Sequence, residues 1–171
     1  MSRSGYHDDG DCDSTEDFLR MCAWTGNVRR HLGGRRGQAF LWELYQALEA
    51  LPQHELITGA LVDRTGACCS LGAVAVARGV PVPEELGVAA FDEFGAVLED
   101  SDFYDAASGL LDIHEMMARE VMYQNDDCDE FHYVPGPPSD RYGSAPRREE
   151  TPAERWQRMR EWVVGRLRGV P

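Results

Sequence analysis

Apolar residues recur at helical spacing over most of the chain, and the breaks between these stretches fall at Gly and Pro. Ser14 or Thr15 can cap a first helix, with Glu16 and Asp17 favourable at the positive end of its dipole. Phe18, Cys22 or Met21, Val28 and Leu32 give that helix an imperfect apolar stripe, and Gly33-Gly34 ends it. From Gln38 to Leu51, Phe40/Leu41, Leu44/Tyr45, Leu48 and Leu51 share one face, the clearest amphipathic segment of the sequence, which Pro52 stops.

The pattern then changes. Leu56 to Val62 has strand-type residues and Asp63-Arg64-Thr65-Gly66 is a turn, so a short hairpin returning through Ala67-Cys68 is predicted as the one sheet. Ser70 or Cys69 starts a small-residue helix in which Gly72, Ala73, Ala75 and Ala77 let a neighbour approach closely, and Gly79 closes it. This reads as a buried central helix. After the connector at Pro81 and Pro83, residues 89–98, 104–111 and 114–124 predict three more helices. Residues 125–150 hold Pro135, Pro137 and Pro138 without any period and read as a long surface loop. Thr151-Pro152-Ala153-Glu154 has the form of a capping box ahead of a last helix with Trp156, Met159, Trp162 or Val163, and Leu167 inward. Residues 1–13 show no apolar period and read as a mobile acidic arm. The expectation is a mainly α protein, a single compact domain over 14–171 with about six or seven helices and one small β-hairpin.

Composition supports a folded chain: 171 residues, 43% hydrophobic and 27% charged, are ordinary values for one globular domain. Charge changes the picture more. There are 30 Asp and Glu against 17 basic residues, all of them Arg, for a net charge of −13. Such a chain lacks the basic surplus with which proteins displace counterions from nucleic acid, so direct nucleic-acid binding is disfavoured and basic partners are favoured. Five cysteines, an odd number with no C-x-x-C pair, fit a reducing cytoplasm. The polar, acidic start is unlike a secretory leader, and no apolar run approaches the ~20 residues of a membrane span.

Candidate chemistry is sparse. Cys69, at a predicted helix start, could be a nucleophile with its pKa lowered by the helix end, taking His132 as base; His114, Asn125 and Asp126 are further candidate partners. The plainer reading packs one thiol of Cys68-Cys69 in the core. Asp9, Asp11 and Asp13, and again Asn125, Asp127 and Asp129, open with calcium-loop spacing but lack the sixth-position Gly and twelfth-position Glu, so no metal or other cofactor is expected. Residues 106–122 resemble a helix-turn-helix, yet the second helix offers acids where phosphates would lie, which favours a structural corner. Arg29, Arg30, Arg35 and Arg36, with His31 between them, form the one basic cluster of the N-terminal half. It reads as a small anion-binding patch or as partners for the abundant carboxylates.

Several short stretches recur together in a family of phage and prophage proteins of proteobacteria, which this chain resembles over most of its length. They are Met1-Ser2-Arg3-Ser4-Gly5-Tyr6, Arg36 to Leu41, Ala47 to Pro52, Cys69 to Ala73 with Ala77-Arg78-Gly79, Asn125-Asp126, Thr151-Pro152 and Met159 to Val163. The resemblance implies a mobile-element origin and no particular activity. The chain departs from the pattern in a longer stretch from Cys128 to Glu150 and in a second thiol at Cys68. With the charge, it points to a non-enzymatic interaction protein, such as an anti-CRISPR-type inhibitor acting in the host bacterial cytoplasm. Its partner would be a basic host protein or nucleoprotein complex, and a homo-oligomer remains open. The expected contacts are Asp92, Glu93, Glu99, Asp100 and Asp102, then Asp126, Asp127, Asp129 and Glu130, with the acids of Asp8 to Asp17 as a further run. The thiol enzyme built on Cys69 is the alternative.

Overall fold

A computed structural model describes residues 15–87, 100–127, 132–133, 147–148 and 150–169. The described chain is mainly helical. It runs α1 (Thr15–Gly33), α2 (Arg35–Glu49), α3 (Ser70–Arg78), the single turn α4 (Glu84–Gly87), α5 (Asp100–Leu111) and α6 (Glu115–Met122). A π-helical turn (Tyr123–Asp127) continues α6, and α7 (Pro152–Val164) is the last helix. The strand pair β1 (His132–Tyr133) and β2 (Arg147–Arg148) is two residues long, antiparallel, with His132 opposite Arg148. The acidic arm expected over 1–13 and the helix expected over 89–98 lie outside the described residues.

Helix α2 is the hub because its apolar face is broad: Phe40, Leu41, Leu44, Ala47 and Leu48 are all buried, and α1, α3 and α7 pack around them. Two glycines permit the closest crossings. At Gly37 a Cβ would lie 2.0 Å from the His31 carbonyl oxygen, so α1 and α2 touch backbone to backbone at their joint. At Gly72 a Cβ would lie 1.7 Å from the Leu61 carbonyl oxygen, which seats α3 against the preceding segment. Burial of α3 stops halfway: Ser70 to Ala75 are buried, whereas Val76 is 55% exposed. On α1, Val28 and Leu32 are buried as the stripe requires, but Cys22 is exposed.

The strands expected between Leu56 and Cys68 do not form. The chain does reverse at Asp63–Gly66, where the Asp63 carboxylate accepts from the Thr65 and Ala67 amides at 2.8 and 3.0 Å, but only one antiparallel bridge, Val62 to Cys68, follows. Ile57 N and Asp63 N still donate across the reversal to Cys68 O and Ala67 O, but Leu61 N donates to Leu86 O at 2.9 Å and Leu56 N to Pro152 O at 3.0 Å, while Gly59 takes a φ of 78° that breaks the extended run. Tertiary partners outbid the local ladder.

The start of the expected 125–150 loop is also different. Asn125 is fully buried within the π-helical turn, and Glu150 is buried against Arg155 and Arg158. At the other end the capping box forms: Thr151 Oγ1 accepts from Glu154 N at 3.3 Å, and Glu154 Oε2 accepts from Thr151 N at 2.9 Å. The turn α7 begins with Pro152, then buries Met159, Trp162 and Val163, and Trp156 reaches back to donate to Leu48 O at 2.9 Å.

Candidate functional site

Cys69 occupies the cap of α3, where its Sγ accepts weakly from Gly72 N at 3.4 Å and lies 3.8 Å from Met122 Sδ. The residue is fully buried, and that burial, reinforced by the Asp126 charge, pushes the thiol far above its ordinary range. Cys68 is pushed up to about 11, first by burial and then by Asp63. Helix-end stabilisation of a thiolate is therefore outweighed here by desolvation. The neighbouring polar atoms are bonded to one another. Asn125 Oδ1 accepts from Ser70 N at 3.1 Å and Ser70 Oγ at 2.6 Å, while its Nδ2 donates to Ile57 O at 2.9 Å and to Asp126. Arg158, locked on Glu150, donates to the carbonyls of Gln124 and Asn125. The π turn exists to aim Asn125 at the start of α3, a tertiary demand that helical periodicity does not encode. His114, considered as a base for Cys69, instead caps α6 through Nδ1, which accepts from Met116 N at 3.2 Å. Of His132 only the backbone is described.

The expected acidic contacts divide. Asp92, Glu93, Glu99, Asp129 and Glu130 lie outside the described residues. Asp100 and Asp102 open α5 and Asp127 ends the π turn, their side chains not being described. Asp126 turns inward, accepting from Gly59 N at 3.4 Å as well as from Asn125, so it holds the fold rather than facing solvent freely. Glu120 is likewise buried, next to Gln124 and Arg166. Asp105 and Asp112 are exposed acids that sequence reasoning did not single out. Between 92 and 130 the sequence places thirteen acids and a single basic residue, Arg119, so this stretch holds −12 of the net −13. Within it α5 and α6 pack against each other around the Asp112 corner, where φ is 47°.

A cleft of about 780 Å³ opens where α1, α2, α3 and the α5–α6 corner meet. Ala39, Phe40, Ile113 and Met117 are its apolar lining; His31, Arg36, Glu43, Arg78, Asp112 and His114 are its polar one. Arg78 grips both oxygens of Glu43 at 2.5 and 2.6 Å and also donates to Leu111 O, which ties α3 to α2 and α5. That guanidinium holds the Glu43 carboxyl below its usual range. The imidazoles of His31 and His114 stack at 3.7 Å. Desolvation, His114 and Arg30 together lower the His31 pKa. Only the Arg29–Arg36 cluster hinted at this cleft in the sequence, because its other walls come from helices up to 80 residues away along the chain.

No protein-family model, curated protein or solved structure matches this chain. Among the described residues no helix is long and apolar enough to cross a membrane. Nor does any group of three or more His, Cys, Asp or Glu side chains among them converge on a metal position.

Proposed function

We propose that this protein is a non-enzymatic interaction protein of phage or prophage type whose acidic 92–130 unit docks on a basic surface of a host nucleic-acid-binding complex, in the manner of an anti-CRISPR nucleic-acid mimic. The observation that carries the reading is the charge distribution: nearly the whole net charge sits in under a quarter of the chain. Concentrated charge of one sign steers association with the opposite sign and weakens with salt. A competitor for a nucleic-acid groove needs that property and no active site, and the buried, high-pKa Cys69 supplies no thiolate for the alternative thiol chemistry.

The test is capture from bacterial lysate with the tagged full chain at low and high salt, beside a variant with Asp100, Asp102, Asp105, Asp112, Asp129 and Glu130 converted to their amides. Asp126 and Glu120 stay intact because they serve the fold. A retained complex that handles nucleic acid, released both by salt and by the amide variant, is the expected result. A specific partner retained equally by both proteins at both salt concentrations overturns the reading.

A further inference from the structure

Among the described residues six arginines, Arg78, Arg119, Arg155, Arg158, Arg160 and Arg166, each meet a carboxylate. Five others gather at the α1–α2 joint and, among the described residues, make no ion pair. Arg29 and Arg30 lie in the last turns of α1, and Arg35 and Arg36 open α2. The fifth, Arg168, lies over Gly33, where a Cβ would be 2.8 Å from its Nη2. In a protein with 30 acids, five cations with no carboxylate partner among the described residues stand out. It is also electrostatically costly, since the first turn of α2 has no acidic residue and its cap, Gly34, has no side chain to accept from the free amides. An anion at this joint relieves both costs.

The cleft adjoins the joint through His31 and Arg36, which line it directly. Its two carboxylates do not repel an anion at that end: Glu43 is neutralised by Arg78, and Asp112 lies in the field of the same guanidinium. The space of about 780 Å³ is within the ~300–1,000 Å³ typical of small-molecule pockets. Phe40 and Met117 offer an apolar wall for a planar or hydrocarbon body. We infer that the cleft binds a small organic phosphate, with the phosphate at His31, Arg36 and the neighbouring arginines of the joint and the organic body against Phe40 and Met117. A phosphate monoester carries up to two charges and three terminal oxygens, so more than one guanidinium fork can grip it at once, which favours it over a single carboxylate. A nucleic-acid strand is the less suited partner, because its further phosphates would meet the −13 surface.

The inference is independent of the acidic-surface reading and is tested without any protein partner. Calorimetric and NMR titrations of the full chain would compare AMP, inorganic phosphate, adenosine and a ten-residue oligothymidylate. AMP should bind more tightly than phosphate or adenosine and shift the His31 and His114 imidazole signals. Arg36→Gln, a change at an exposed side chain, should weaken AMP about tenfold or more by removing charge-assisted hydrogen bonds. Arg64→Gln, at an exposed arginine of the Asp63–Gly66 turn away from the cleft lining, should leave binding unchanged. No binding of AMP, AMP no tighter than phosphate, oligothymidylate tighter than AMP, or equal losses in the two variants would each overturn the inference.

Discussion

Replacing Gly72 by Ala sets two well-known effects against each other. Helix propensity alone makes the change stabilising by about 1 kcal/mol, because Gly in a helix interior loses more backbone freedom on folding. The packing says otherwise. The new Cβ would lie 1.7 Å from the Leu61 carbonyl oxygen and 2.6 Å from its carbon, both backbone atoms, so α3 or the 56–62 segment must retreat by roughly 1.5 Å to reach ordinary contact. Leu61 O accepts from Cys69 N at 3.0 Å and Leu61 N donates to Leu86 O at 2.9 Å, so that retreat disturbs two buried hydrogen bonds. Overpacking at about 1–3 kcal/mol and a buried bond at about 1–3 kcal/mol leave a net loss of about 1–5 kcal/mol, centred near 3 kcal/mol, after the propensity gain. For a chain of this size the central value lowers the melting temperature by about 6–12 °C. Thermal unfolding followed by circular dichroism would read the shift, with Gly109→Ala as control: a Cβ at that position in α5 meets nothing within 4 Å, and stability should rise slightly. A Gly72→Ala melting point equal to or above that of the parent would refute the close approach of α3 to Leu61.

Asn125→Ala strips the acceptor from Ser70 N and Oγ and the donor from Ile57 O, and should cost about 3 kcal/mol or more in urea unfolding. A loss below about 1 kcal/mol would show that this buried network contributes little. Alkylation of the native protein at pH 8, mapped by mass spectrometry, should modify the exposed Cys22 and spare Cys69 until denaturant is added; early labelling of Cys69 would contradict its burial. Acidification should weaken the fold through His31. Its folded pKa lies below the ordinary 6.5, so the unfolded chain takes up the proton first; its stabilising contribution is whole above 6.5 and is lost as pH falls through the folded value. The urea midpoint should therefore fall between pH 7.5 and 5.5, and His31→Gln should flatten that slope; an unchanged slope would assign the titration elsewhere.

Local chemistry determined much of this fold. The capping box at Thr151, the Gly79 cap at a φ of 66°, the breaks at Gly33-Gly34 and Pro52, and the stripe of α2 all follow from interactions within a few residues, and the structure has each of them. The small-residue pattern of α3 likewise foretold a close neighbour, though not that the neighbour is the Leu61 backbone. What the sequence could not determine depends on which distant group claims a backbone amide or a charge. The 56–68 reversal keeps a few bonds between its arms, such as Cys69 N to Leu61 O, but does not extend into strands, because the amides of Leu56 and Leu61 go to the Pro152 and Leu86 carbonyls. Asn125 left the expected loop for the core because the start of α3 needed an acceptor. Among the described residues the arginines of the α1–α2 joint meet no carboxylate, whereas Glu43 and Glu49 on the same helix α2 are matched to Arg78 and Arg160 from other helices. Capping and periodicity are decided within a turn of helix; the partners of buried polar atoms and the walls of a cleft are decided only when helices far apart in the chain are packed together.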